Sequence, residues 1–197
     1  MESTVDVGNI AAMYQPGHTH ADSLNYELRI NGDNFIVDTG ISTYNKTARR
    51  QYERSSMAHN VVVIDGRDSS EVWGGFRVGR RAQVQLIDDI TNRVEAWHDG
   101  YGVKVKRLFE LCDNEFSVVD SADTAKEAIS YIHFAPGIMP MVEDNRLTTM
   151  QAEVVVAGAK EIEIIDDWAS VEYNRLEPIK VAKIKFNSKL EYKIVVK

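Results

Sequence analysis

Apolar and polar residues alternate along most of this chain with a period of two, not 3.6. Leu24 to Ile30 alternates cleanly, Asn31-Gly32-Asp33 follows as a turn, and Phe35 to Val37 reads as the returning strand of a hairpin. Asn60 to Ile64 is a more continuous apolar run, as expected for a strand buried on both faces. Further short strands follow at Gln83–Ile87, Asn92–Trp97, Val103–Leu111, Glu115–Val119, Ala128–Phe134, Arg146–Met150, Glu153–Val156, Glu161–Ile165, Val181–Phe186 and Leu190–Val196. Turn chemistry separates most of them, including Asp99-Gly100, Asp113-Asn114, Pro136-Gly137, Gly158 and Asn187-Ser188. No long amphipathic helix is evident, and Ser170–Arg175 is expected to form a helical turn at most. The pattern predicts one all-β domain over residues 1–197, a large antiparallel β-sandwich.

One stretch breaks the alternation. Thr39 to Ala58 carries Tyr44, Lys46, Arg49, Arg50, Tyr52 and Arg54 with little periodicity, and reads as a long Arg-rich loop. Long loops inside compact domains are uncommon and often functional.

Composition changes the picture in three places. With 23 Lys+Arg against 30 Asp+Glu the 197-residue chain carries −7, which argues against general nucleic-acid binding. The charge is uneven, however. Residues 46–81 hold eight cations and four carboxylates, so that window is +4 and the remainder −11. Cys112, the single cysteine, excludes an intrachain disulfide and is expected to be a buried small hydrophobe. No apolar run is long enough for a membrane helix, and Met1 to Gly17 lacks the pattern of a secretory signal.

The candidate chemistry lies in the histidines. His18 and His20 stand two apart in Gly17-His18-Thr19-His20-Ala21-Asp22, and in extended chain they would face the same way. Asp38 ends the apolar strand Phe35–Val37, and His59 immediately precedes Asn60–Ile64. A carboxylate and an imidazole at the ends of buried strands are costly unless paired or ligated. His20, Asp38 and His59 would make a site of two histidines and one carboxylate, a set that suits Zn2+. The spacing poses a difficulty. In a straight hairpin Asp38 lies opposite Glu27, which leaves His20 about 23 Å away. A bend near Ala21-Asp22, or pairing of the His18–His20 segment with another strand, is required. His98 and His133 read as structural histidines.

The Gly17–Asp22 element, the hairpin into Val37-Asp38-Thr39-Gly40, and the element Ala58-His59-Asn60 to Asp65-Gly66, in that order, resemble the heparinase II/III-like polysaccharide lyases. The resemblance is strongest over about residues 16–81, with weaker support from Gly100-Tyr101 and His133–Gly137. It implies the β-sandwich that follows an N-terminal helical toroid, here expected to be missing from the chain. It further implies β-elimination on a uronic-acid-containing acidic polysaccharide, zinc held by His20, Asp38 and His59, and a catalytic part for His18. A uronate C5 proton is weakly acidic, so such chemistry needs a positioned base, groups that neutralise the carboxylate, and an acid for the leaving oxygen. His18 could serve the first or last step. The remaining groups would come from the toroid, so the fragment alone is expected to be inactive or nearly so.

Tyr44, Arg49, Arg50, Arg54 and Trp73 are the candidate substrate-binding residues, because Arg forks onto carboxylates and Trp stacks on sugar rings. The expected partners are the acidic glycan and the toroid, with no nucleic acid and no membrane span. The expected location is periplasmic or secreted, from substrate access. The competing reading is a glycan-binding module without chemistry; an iron-binding cupin-like oxygenase fits less well.

Overall fold

The computed structural model describes residues 1–10, 14–124 and 126–197. The strands, in chain order, are β1 (Glu2–Val5), β2 (Tyr26–Ile30), β3 (Asp33–Ile36), β4 (Val62–Ile64), β5 (Val72–Trp73), β6 (Arg77–Val78), β7 (Val84–Ile90), β8 (Arg93–His98), β9 (Val105–Cys112), β10 (Glu115–Ala122), β11 (Ala128–His133), β12 (Met141–Glu143), β13 (Arg146–Thr148), β14 (Ala152–Glu172) and β15 (Arg175–Val196). Helical structure among the described residues is one short helix, α1 (Ala48–Glu53), and a 3-10 turn at Ser56–Ala58.

All the paired strands run antiparallel. One ten-stranded sheet has the order β12-β13-β14-β15-β10-β9-β8-β7, and β11 joins it by pairing with both β15 and β4. A three-stranded sheet, β1-β2-β3, faces it, and β5-β6 forms a separate ribbon. The period-two pattern explains the packing. Tyr26, Leu28 and Ile30 point inward from β2, while Phe109 and Phe116 point inward from β9 and β10. Tyr26 meets Phe116 and Phe109 at 5.4 and 5.8 Å between ring centroids. The Tyr192 hydroxyl on β15 donates to that of Tyr26 at 3.0 Å, so the two sheets share apolar and polar contacts. Burying each such aromatic side chain contributes about 2–3 kcal/mol.

Three expectations change. The four predicted C-terminal strands are two long ones. Gly158 and Ser188, predicted as breaks, lie within β14 and β15, and the former sits beside register shifts between Ala157 and Glu161. Gly158 is needed there: its φ is +87° and a Cβ would lie 2.6 Å from the Lys189 carbonyl oxygen. Ser170–Arg175 is no helical turn but the tip of the β14–β15 hairpin. Cys112 is exposed at the end of β9.

The Arg-rich segment is also more ordered than a loop. Thr47 caps α1, accepting from the Arg50 N–H at 3.2 Å. The hairpin tip props the segment up. Ser170 N–H donates to the Thr39 carbonyl at 2.7 Å, Asn174 N–H to that of Ser42 at 2.9 Å, and the Tyr52 hydroxyl to Asp167.

Candidate active site and metal centre

The end of β3, the start of β4 and the end of β11 converge, and the chemistry-bearing residues sit where these strands stop. Val37 N–H donates to the His133 carbonyl at 3.0 Å, which places Asp38 next to the end of β11. The spacing difficulty resolves through a bend. Asn25 N–H bonds back to the Asp22 carbonyl at 2.9 Å, and Leu24 adopts φ +66°. That left-handed conformation is uncommon for a leucine and costs about 1–2 kcal/mol. It is held because Leu24 packs against Val84 and Ala96 and its carbonyl accepts from Arg107 at 2.9 Å. A register shift between Leu28 and Arg29 also moves the pairing of β3 along β2.

The bend brings His20 back to His59. His20 Nδ1 lies 3.2 Å from His59 Nε2, and His59 Nδ1 lies 2.6 Å from Asp38 Oδ2. Asp38 is further held by the Asn25 amide at 2.6 Å and the Gly40 N–H at 2.8 Å. Burial disfavours charge on His59, yet the Asp38 carboxylate overrides this and lifts its pKa to about 9. Asp38 lies well below the usual carboxylate range: burial opposes its charge, but His59 and the Gly40 N–H outweigh that. His20 is lowered to about 3, by burial first and then by the neighbouring charge of His59.

His20 and His59, with the partly buried Asp22, offer donor atoms all within 4.8 Å of one another. The His20 Nε2 atom is buried and has no hydrogen-bond partner among the described residues. Two imidazoles with adjacent carboxylates, and an orphaned ring nitrogen, fit a zinc-type donor set. Asp38, the carboxylate expected from sequence, is in contact with His59 on the opposite ring nitrogen from His20. Asp22, in the same hexapeptide as His18 and His20, is a donor that the strand-end pattern does not single out.

Asn60 organises this centre. Its amide donates to the Tyr26 carbonyl at 2.8 Å and the Val37 carbonyl at 2.9 Å, and its Oδ1 accepts the His133 N–H at 2.7 Å. Its own N–H donates to Asn25 Oδ1 at 2.9 Å. Arg107 underlies the arrangement. It is fully buried, bonded to Asp120 at 2.6 and 2.9 Å, and donates to the carbonyls of Leu24 and Asn60. Sequence reading missed both, although alternation placed Arg107 on the inward face with Val105 and Phe109.

His18 departs from the expectation that it shares a face with His20. Gly17 and His18 form a turn, closed by Thr19 N–H on the Pro16 carbonyl at 3.1 Å, so His18 is exposed while His20 is buried. The His18 ring meets Tyr44 edge-on at 5.7 Å. Tyr44 is stacked with Tyr173 at 5.8 Å and with Phe76 at 6.5 Å.

The predicted substrate-binding residues divide. Tyr44 and Trp73 are exposed, and Arg77 lies over the Trp73 ring at 4.6 Å. Arg49 is partly exposed but bonded to Glu53 at 2.8 Å and the Trp168 carbonyl at 2.9 Å. Arg50 and Arg54 are not surface cations: both are fully buried. Arg50 donates to the carbonyls of Gly75 at 3.2 Å and Gly17 at 3.3 Å, with its guanidinium over the rings of Tyr44 and Phe76. Arg54 donates to the carbonyls of Thr19, Trp73 and Arg77 at 2.9, 3.4 and 3.2 Å. The two arginines clamp the His18–His20 backbone from the interior. A guanidinium suits this because its planar fork satisfies several carbonyls at once.

Comparison with known proteins agrees with this picture. The family described as "Heparinase II/III-like, C-terminal" matches residues 1–197. Among solved structures, the chain is similar to a heparan sulfate lyase from Pedobacter heparinus, with TM-score 0.80 and 14% identity over 98% of this chain and 32% of that one. It is also similar to a heparinase III, with TM-score 0.76 and 16% identity over 98% and 33%. At these identities the likeness establishes the fold, and the chain spans about a third of the length of those proteins. No curated protein matches. From the strand order, the placing of the His18–His20 and His59 elements at one end of the sheets, and the family match along its whole length, the chain belongs to the heparinase II/III-like C-terminal family.

Proposed function

We propose that this chain is the sandwich domain of a polysaccharide lyase that cleaves a uronic-acid-containing acidic glycan by β-elimination. The observation that carries the reading is the contrast between two adjacent histidines. His18 is exposed on a turn beside Tyr44, and His20 is buried against His59. An exposed imidazole on a braced backbone is suited to move a proton to or from bound sugar. The Arg-rich segment braces this turn, because Arg50 holds the Gly17 carbonyl and Arg54 the Thr19 carbonyl.

His20, Asp38 and His59 would hold zinc, with Asp22 as a further carboxylate beside the two histidines. Zinc there would supply a fixed positive charge that ties these segments together. Asn25 and Asn60 orient Asp38 and the backbone around it. Tyr44 and Trp73 offer exposed aromatic surface for sugar rings. The partner of this domain is a helical toroid that contributes the remaining acid–base groups, and the site of action is periplasmic or extracellular, where such polymers lie.

The test uses the whole protein that carries this chain, incubated with a panel of sulfated and unsulfated uronic-acid polysaccharides. Absorbance of the unsaturated product should rise on at least one of them. No product from any would refute the lyase reading and leave a glycan-binding module. Elemental analysis should find about one zinc per chain, falling to near zero in His20→Ala or Asp38→Ala; no metal in the unmodified protein would refute the centre.

A further inference from the structure

A cavity of about 330 Å³, separate from the His18 turn, is lined by Arg67, Arg80, Arg81, Asp99, Gly100 and Tyr101. Its walls are fixed. Arg80 donates to the carbonyls of Ser69 at 2.9 Å and of Gly100, which locks its guanidinium at the rim. The Asp99–Gly102 turn is closed by Gly102 N–H on the Asp99 carbonyl at 2.8 Å, and the Tyr101 hydroxyl pins it to the Val62 carbonyl at 2.9 Å. Gly100 is required for this approach, since a Cβ there would lie 2.6 Å from the Ser69 carbonyl oxygen.

The nearby carboxylates accept other hydrogen bonds or ion pairs, Glu71 among them, which takes the Arg80 backbone N–H at 3.2 Å. Asp65 pairs with Lys126 at 2.8 Å, Asp68 accepts the Ser56 N–H at 2.8 Å, and Asp99 accepts the Gln83 N–H at 2.8 Å. Arg67 is exposed, and neither it nor Arg80 forms an ion pair among the described residues. A protein of net charge −7 thus keeps Arg67 and Arg80, without ion pairs among the described residues, at a pocket that holds one aspartate. Guanidinium groups at a concave surface, here the fixed Arg80 and the exposed Arg67, recognise tetrahedral or planar oxyanions by forked hydrogen bonds. The cavity also connects to the candidate centre. Ser69, which Arg80 holds, donates its hydroxyl to the Ala21 carbonyl at 3.3 Å, between His20 and Asp22.

We propose that this cavity is an oxyanion site that takes a sulfate or carboxylate group of an acidic saccharide unit through Arg67 and Arg80. The saccharide source rests on the lyase reading, whereas the oxyanion site does not. It would engage a sugar unit other than the one beside His18, so it would add affinity and preference for charge pattern without joining the chemistry.

The chain is titrated with sodium sulfate at constant ionic strength, and separately with a sulfated uronate-containing tetrasaccharide, while the amide resonances of Gly100 and Gly102 are followed by NMR. Both titrations should be saturable, and Arg67→Gln should bind at least fivefold more weakly. Arg67→Lys should be weakened too, because an ammonium cannot fork, while Arg29→Gln on β2 should match the unmodified chain. Absence of saturation, or unchanged affinity in both Arg67 variants, overturns the site. Sulfate binding without tetrasaccharide binding overturns the saccharide source. If binding depends on Arg67 and yet no polysaccharide yields an elimination product, the lyase reading fails and the oxyanion site stands.

Discussion

The long β14–β15 hairpin and the segment around His18 use their cations in opposite ways. Along the hairpin, lysines meet acids across the strands: Lys180 with Asp166, Lys183 with Glu163 and Lys185 with Glu161. These pairs are largely solvated and neutralise one another. Around His18, the buried Arg50 and Arg54 instead satisfy backbone carbonyls, and no carboxylate forms an ion pair with either among the described residues. The first arrangement leaves a neutral surface. The second leaves positive charge inside the protein, beside the face where an anionic sugar is proposed to lie. Lysine therefore serves surface neutrality in one region, and arginine serves backbone geometry in the other.

The largest effect expected from breaking this contrast is at Arg107. Removing it as Arg107→Ala leaves the Asp120 carboxylate buried and unpaired and frees the carbonyls of Leu24 and Asn60. Urea denaturation should show a loss of about 3–5 kcal/mol. Lys183→Ala, which breaks an exposed cross-strand pair, should cost under about 1 kcal/mol. A similar loss from both would erase the distinction.

Arg54→Met should come next, at about 3 kcal/mol, because three carbonyls lose a charged donor. The loss should be insensitive to salt, unlike that of a surface ion pair. Strong salt dependence would mean that Arg54 acts through charge pairing after all.

Acid stability sharpens the comparison at a buried histidine that the arginine clamps do not contact. His98 is lowered to about 4, mainly by burial and then by Arg107, and its Nδ1 accepts the Gly100 N–H at 3.2 Å. The unfolded chain, with His98 near its ordinary value, takes up the proton first as pH falls. Stability is therefore full above about pH 6.5 and is lost progressively down to pH 4, by on the order of 3 kcal/mol from this residue. Denaturation midpoints measured across that window should fall with pH, and more gently in His98→Asn.

Much of the fold was legible because period-two alternation is a backbone property: once strands form, inward and outward faces follow. It marked most of the strands and the Asn31-Gly32 hairpin correctly. It could not see that Gly158 bends a strand instead of ending it, because a bulge and a turn call for the same residue. The members of the candidate centre were legible as strand-end polar residues, but their contacts were not. Those depend on the left-handed Leu24 and on Arg107 beneath it, which join segments more than 80 residues apart. Arg50 and Arg54 misled for a related reason. A run of cations reads as solvated until the fold supplies carbonyls to receive them.

The contrast between His18 and His20 is the centre of the account, and one variant tests it. His18→Ala in the whole protein that carries this chain should lower the rate of unsaturated-product formation at least about 100-fold. Zinc should remain at about one per chain and the urea midpoint should stay unchanged. An unaltered rate, or loss of zinc together with activity, would contradict the separation of an exposed catalytic histidine from a buried ligand histidine.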